Sequence, residues 1–387
     1  MDKFMRFFTK SLSYILVAVV ASAVSLMLWG QGNSKLAELE SVIEGKFVGE
    51  YDKTKVEDAA AKAMVRALSD RWSSYFTAEE YAAHMEDMRN AYAGVGITVR
   101  QREDGTGLDI LNVTPGGSAQ EEGVLPGDIL IKIGDMPVAG VSVDDIRTII
   151  LGEENSQISI TVLRGTEEKI FTLTRRTIKV QVASGTMLEN NIGLVQITNF
   201  HENCGDETIA VIEELQSQGA TALIFDVRNN PGGYVVEMLQ VLDYLLPEGV
   251  LFRQVDFRGN EKEEHSDAAC LQLPMAVLVN GESYSAAEFF AACLQEKQWA
   301  TVVGQQTCGK GYYQNTIPLS DGSAVNLSTG KYFTPGGVNL TEAGGVTLDV
   351  PVDVDKETAA MIAAQLIQPT EDPQVLSAVE VLLKKRG

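Results

Sequence analysis

Histidine is nearly absent from these 387 residues, with three in all, His84, His201 and His265. None stands in a metal-ligating spacing such as His-Glu-x-x-His, so nothing points to a bound metal, and none is singled out as a general base. Cysteine is almost as scarce. Cys204, Cys270, Cys293 and Cys308 form no Cys-x-x-Cys pair, which excludes the usual zinc frameworks and leaves buried free thiols as the expectation. Basic charge is also short: 31 Lys and Arg stand against 53 Asp and Glu, for a net charge of −22. A chain so acidic lacks the basic surface that binding to a phosphate backbone requires. No internal repeat or low-complexity segment is present. What is there, 45% hydrophobic and 22% charged residues, is the composition of a folded globular chain, long enough for two or three domains.

The N-terminus is distinctive. Lys3, Arg6 and Lys10 precede an uncharged run from Ser11 to Trp29, long enough for one membrane span. Positive charge ahead of it predicts a cytoplasmic N-terminus, with the rest of the chain outside. A cleaved signal peptide is the rival reading. Its small-residue pattern, Ala21-Ser22-Ala23, sits inside the apolar run rather than after it, so an uncleaved anchor is the expectation.

Five segments follow from the pattern. Residues 1–32 are the basic stub and anchor. Residues 33–91 are rich in Ala, Glu, Lys and Met at helical spacing and predict a helical region, broken at Leu68–Glu80, where Thr77 can cap a new helix. Residues 92–177 turn to short β-rich runs such as Ile129-Leu-Ile-Lys-Ile, separated by glycine and proline turns, with one helix at Ser142–Leu151 that Ser142 can cap. Residues 178–355 alternate strand and helix, an α/β organisation. Residues 356–387 end in a short helix at Val375–Lys385.

The chemistry concentrates in two segments. Val277-Leu-Val-Asn-Gly-Glu-Ser-Tyr-Ser285-Ala-Ala-Glu288 ends an apolar run with a serine at a turn; Thr307-Cys-Gly-Lys310-Gly-Tyr-Tyr-Gln314 sets a lysine between glycines. A serine hydroxyl needs a base to become a nucleophile, and a lysine serves if burial lowers its pKa toward neutrality. Serine–lysine pairs are a known form of this arrangement, so the residues read as a serine protease that does not use histidine. Ser283 competes for the nucleophile's place. Glu288 reads equally well as an acidic third member or as a first-turn carboxylate that stabilises its own helix. Asp226 and Arg228 read as structural. Cys308 either lines the site or is simply packed.

Gly94-Val-Gly-Ile and Val113-Thr-Pro-Gly-Gly-Ser-Ala…Leu125-Pro-Gly-Asp-Ile-Leu resemble a PDZ domain of the kind found inside bacterial proteases. The backbone N–H groups of Val95, Gly96 and Ile97 are the candidates for holding a terminal carboxylate, and the adjoining strand edge for pairing with an extended peptide. The resemblance widens from Leu68 to Val352. Ser73-Ser-Tyr-Phe-Thr, Phe225-Asp-Val-Arg-Asn-Asn-Pro-Gly-Gly233, the Ser285 and Lys310 segments, Lys331-Tyr-Phe-Thr-Pro-Gly-Gly and Gly345-Val-Thr-Leu-Asp-Val-Pro-Val together resemble the C-terminal processing peptidases, the tail-specific carboxyl-terminal protease family.

That resemblance implies a multidomain α/β fold: a crotonase/ClpP-like α/β protease core with an inserted β-rich PDZ domain and helical N- and C-terminal segments. It implies a serine endopeptidase with Ser285 as nucleophile, Lys310 as general base and Gln314 orienting the lysine. Oxyanion donors are expected from the backbone of Ala286 and from the Gly232-Gly233 turn, with the contributing glycine left open. Arg164 is a candidate for reporting peptide binding to the core, and Tyr284, where the family has a small residue, for shaping the substrate pocket. No metal or organic cofactor is implied. The expected partners are peptides with apolar C-termini, the membrane through the N-terminal run and, by analogy, a second copy. Two alternatives stand beside this reading: a catalytically silent PDZ scaffold, and acyl-CoA chemistry on a crotonase-like core, against which the export signal argues.

Overall fold

The computed structural model describes residues 34–102 and 104–386. Ser11–Trp29 lies outside them; among the described residues, no helix is long and apolar enough to cross a membrane. The chain divides into two compact units, residues 1–63 and 64–387. In the first, Lys53 forms ion pairs at 2.7 Å with Glu40 and Glu44 of the helix Lys35–Lys46, a helix with no buried side chain.

The second unit is mixed α/β. Its centre is a six-stranded sheet in the order Ala183–Leu188, Ile192–Ile197, Ala222–Asp226, Met275–Val279, Ala300–Gly304, Val350–Pro351. The first strand is antiparallel and the rest are parallel. Every residue of Ala222–Asp226 and Met275–Val279 is buried, as expected of strands covered on both faces. On one face pack helices Cys204–Ser217, Val235–Leu245 and Ala286–Glu296, with Phe225, Met238, Phe289 and Phe290 at the centre of the core. The other face is closed by the C-terminal helix Pro373–Arg386, through Val375, Ala378 and Leu382.

That helix is held by charge as well as by packing. Arg228, its side chain 4% exposed, pairs with Asp226 at 2.6 Å and Asp372 at 2.8 Å, and donates to Gln374 Oε1 at 2.8 Å. The pair expected to hold its own loop thus also anchors the chain's end. Arg228→Ala leaves two buried carboxylates unpaired, and is expected to cost about 3–5 kcal/mol and roughly 10 °C in thermal unfolding temperature, read by calorimetry.

A second sheet runs Ser74–Phe76, Ala324–Phe333, Gly249–Asp256, Glu261–Ser266, with Tyr312–Pro318 also paired to Ala324–Phe333. Region 33–91 is therefore not wholly helical. Ser74–Phe76 is a strand because its partner Ala324–Asn326, some 250 residues away, supplies its ladder, a contact no local pattern announces.

The β-rich insert is a six-stranded sheet, in the order Ile97–Gln101, Leu108–Val113, Ile129–Ile133, Gln157–Arg164, Glu167–Thr174, with the sixth strand, Met136–Pro137, paired to Ile129–Ile133. Its core is formed by Leu108, Ile110, Leu130, Ile146 and Ile160. Ala91–Gly94 and Arg176–Lys179 pair at its neck, where the chain enters and leaves. The helix starting at Val143 is capped by Ser142, whose Oγ accepts from Asp145 N.

Candidate active site

Three turns leave the carboxyl ends of adjacent parallel strands and meet, the position at which open α/β sheets bind ligands. His201 follows Ile192–Ile197, Gly232-Gly233 follows Ala222–Asp226, and Ser285 follows Met275–Val279. Ser285 sits between buried strand and buried helix at φ 60°, ψ −120°, a conformation that costs a non-glycine residue on the order of 1–3 kcal/mol and recurs where strain positions a functional group. Ser283 is occupied. Its hydroxyl, fully buried, donates to Val227 O at 2.7 Å and accepts from Asn280 N at 3.0 Å, so it builds the turn and leaves Ser285 facing the cleft.

Gly232 and Gly233 differ in use. The Gly232 N–H donates to Asn230 Oδ1 at 2.8 Å and its carbonyl accepts from Phe200 N. Neither the Gly233 N–H nor the Ala286 N–H is engaged among the described residues. Gly232 has φ +88°, and a Cβ there would lie 2.8 Å from Ala286 N and 2.9 Å from Ser285 Cβ. Gly232→Ala is therefore expected to push the elbow and the helix start apart and lower kcat/KM roughly 100-fold, measured on any peptide the chain cuts.

Lys310 opens the loop before Tyr312–Pro318 and lines the same cleft of about 930 Å³ as Ser285, Tyr284, Gln314 and Tyr332. Burial pushes its amine down from the ordinary 10.5 to about 8; Cys308, Glu288 and Asp70 oppose the fall and Arg71 adds to it. The ammonium lies 4.7 Å from the centre of the Trp72 ring, which Arg71 also covers at 4.0 Å. No hydrogen bond joins it to Ser285 among the described residues. Its main chain is fixed: the N–H donates to Glu288 Oε2 at 2.9 Å, and the carbonyl accepts from the Tyr332 hydroxyl, which also lies beside the Ser285 side chain.

Gln314 lines the cleft but donates to Ser328 Oγ at 3.0 Å and Tyr312 O at 3.1 Å, not to Lys310, whose amine is turned onto Trp72. Tyr284 is tilted against the Trp72 ring at 6.0 Å. Cys308 accepts from Arg71, and all four cysteines are free thiols. No group of acidic, histidine or cysteine side chains suited to a metal exists among the described residues.

In the insert, Gly96 has φ +80°; the carbonyls of Val95 and Gly96 accept from Ala119 N and Thr114 N. Val95 is buried. Ile97 begins the edge strand of the sheet, whose outer side carries no paired strand among the described residues. Arg164 is engaged inside the insert, with a bidentate pair to buried Asp128 at 2.7 Å and a bond to Gly123 O at 2.8 Å; no bond from it to the core is present among the described residues.

Sequence reasoning gave no role to Trp72, Asn230 or Tyr332. Their signal was position alone: Asn230 and Tyr332 lie inside family-like segments, and Trp72 borders one.

Residues 191–352 match the model of peptidase family S41, and residues 110–164 that of a PDZ domain. The carboxy-terminal processing protease CtpA of Bacillus subtilis is 32% identical over 349 residues, covering 85% of this chain and 74% of that protein. The chloroplastic carboxyl-terminal-processing peptidase 2 of Arabidopsis thaliana is 30% identical over 308 residues, covering 76% and 60%. A crystal structure assigned to an S41 protease of Bacteroides fragilis superimposes with a TM-score of 0.52 at 15% identity, over 89% of this chain and 97% of that one, a likeness of fold.

Proposed function

Because this chain belongs to the carboxy-terminal processing proteases of peptidase family S41, serine-type peptidases, and carries a PDZ domain, we propose that Ser285 and Lys310 are its catalytic dyad. The observation that carries the reading is the pairing, in one cleft, of a strained elbow serine with a buried lysine whose pKa has fallen to about 8. The neutral amine takes the Ser285 proton and Oγ attacks the scissile carbonyl. The N–H groups of Ala286 and Gly233, both unengaged, hold the oxyanion. The C–N bond breaks as the ammonium returns the proton to the leaving amine, and water, deprotonated by Lys310, releases the acyl group. The lysine main chain is held at both N–H and carbonyl, so reaching Ser285 asks of it a side-chain rotation off Trp72. Gln314, with its amide oxygen toward no partner among the described residues, is the group that would receive and orient the amine there.

Substrates enter by their C-termini. The turn at Val95–Ile97 offers backbone donors for a carboxylate, and the open edge of Ile97–Gln101 offers a ladder, beside the helix Val143–Ile150. The N-terminal run, on its length and flanking charge, anchors the enzyme in a membrane with its catalytic part outside the cytoplasm. Exposed Leu36, Leu39 and Val42 offer a face for a second copy.

The test is incubation of the full-length chain with an unstructured protein ending in apolar residues, beside the same protein with an amidated or acidic end. Fragments from the first and few from the others are expected by mass spectrometry. A substrate left whole from neutral to alkaline pH, while its tail still binds, would replace this reading with that of a scaffold.

A further inference from the structure

We propose that Glu288 is a positioning residue of the reaction: a single buried carboxylate ties the backbone of the serine elbow to the backbone of the lysine loop and sets the gap the proton crosses. The proposal rests on Ser285 and Lys310 being the dyad.

Glu288 is fully buried, which is rare for a carboxylate unless paired, and no lysine or arginine forms an ion pair with it among the described residues. Backbone donors surround it instead. Oε1 accepts from Gly309 N at 2.6 Å, and Oε2 from Lys310 N at 2.9 Å and Ser285 N at 3.2 Å; the Thr307 side chain adds a fourth bond. A cap that served only its helix would be satisfied by the Ser285 bond. The bonds to Gly309 and Lys310 do nothing for that helix; they join a separate loop to it. With so many donors converging on it, the group fits its ionised, acceptor-only form, although burial pushes its pKa up.

The same carboxylate acts on the charge of Lys310. The groups acting on that amine are Glu288 from the helix, Asp70 and Arg71 ahead of Ser74–Phe76 and Cys308 on its own loop; Tyr284, Tyr332, His84 and His201 line the same cleft. Glu288, Asp70 and Cys308 hold its pKa up and Arg71 lowers it. Removing the Glu288 charge therefore lets the pKa fall further.

Two variants separate position from charge, each read by kcat, KM, the acid limb of kcat/KM and thermal unfolding of the full-length protein. Glu288→Gln puts an amide N–H against at least one backbone donor. It is expected to lower kcat roughly 10- to 100-fold with little change in KM, and to move the acid limb to lower pH. Glu288→Asp keeps the charge on a shorter arm; kcat is expected to fall with the limb in place. The proposal is overturned by wild-type kcat and limb in Glu288→Gln, or by a rate that falls only in step with folded protein while the limb stays put. Ser285→Ala, run alongside, is the independent arm. If it still cuts, the dyad reading itself fails and this proposal falls with it; if it is dead while Glu288→Gln is normal, only the role of Glu288 is lost.

Discussion

Ser285→Ala is expected to lower kcat by about 10⁴-fold or more while leaving binding of C-terminal peptides unchanged. The elbow presents one hydroxyl to the cleft. Ser283, two residues earlier, spends its own on Val227 O and Asn280 N, and the N–H groups of Gly233 and Ala286 are unengaged among the described residues. Alanine removes the bond-forming atom and leaves the Val95–Ile97 turn untouched, so the two readouts separate. They are measured on one substrate, by product release and by anisotropy of a labelled tail peptide. Activity within tenfold of the unmutated chain would place the nucleophile elsewhere.

Lys310→Met is expected to be nearly as damaging, about 10⁴-fold in kcat, because it removes the buried amine of lowered pKa that lines the cleft with Ser285. The unmutated enzyme should show kcat/KM rising with pH through about 8, the value to which burial lowers the amine. At pH 7.5 roughly a quarter of such a lysine is neutral, against about a thousandth at the ordinary pKa. In Lys310→Met, stability should move the opposite way from activity. A folded-state pKa below the unfolded one means that the folded protein pays to protonate Lys310 at every pH below about 8. The penalty fades as pH rises toward 10.5 and the unfolded chain also loses its proton. Lys310→Met should accordingly be more stable at neutral pH by about 1–3 kcal/mol, with the cation–π contact to Trp72 and residual exposure keeping it toward the lower end. The gain should vanish between pH 8 and 10.5. Unfolding curves at pH 7 and pH 10 decide it; equal stability at pH 7 would mean that the amine is not perturbed in the folded state.

Much of this was legible in the residues. The α/β alternation after residue 178, the β-rich insert and the family-like segments all follow from patterns that local chemistry imposes: fully apolar runs for strands covered on two faces, glycine where the backbone must take positive φ, serine and threonine at helix starts. The Ser285 and Lys310 segments were visible for the same reason, since each is a turn chemistry written in adjacent residues.

What lay beyond reach were particular side-chain contacts, most of them between distant segments. Whether Gly232 or Gly233 keeps a free N–H depends on Asn230 folding back onto its own turn. Whether Ser283 competes depends on Val227, just past the end of the neighbouring strand. Of the two readings left open for Glu288, a third acidic member of the site or a first-turn carboxylate, neither named its backbone bonds to Gly309 and Lys310, which arise because parallel pairing of Met275–Val279 with Ala300–Gly304 brings the two loops to one sheet end. Gln314, expected on Lys310, instead meets Ser328 across a bulged ladder. By itself, then, the sequence determined the fold class, the family and the two segments that carry the proposed dyad, because each rests on spacing a few residues long. The tertiary structure alone decided which serine is tied into the turn, which amides stand open, where the lysine rests and what holds it, because most of these are set by contacts between residues dozens to hundreds of positions apart.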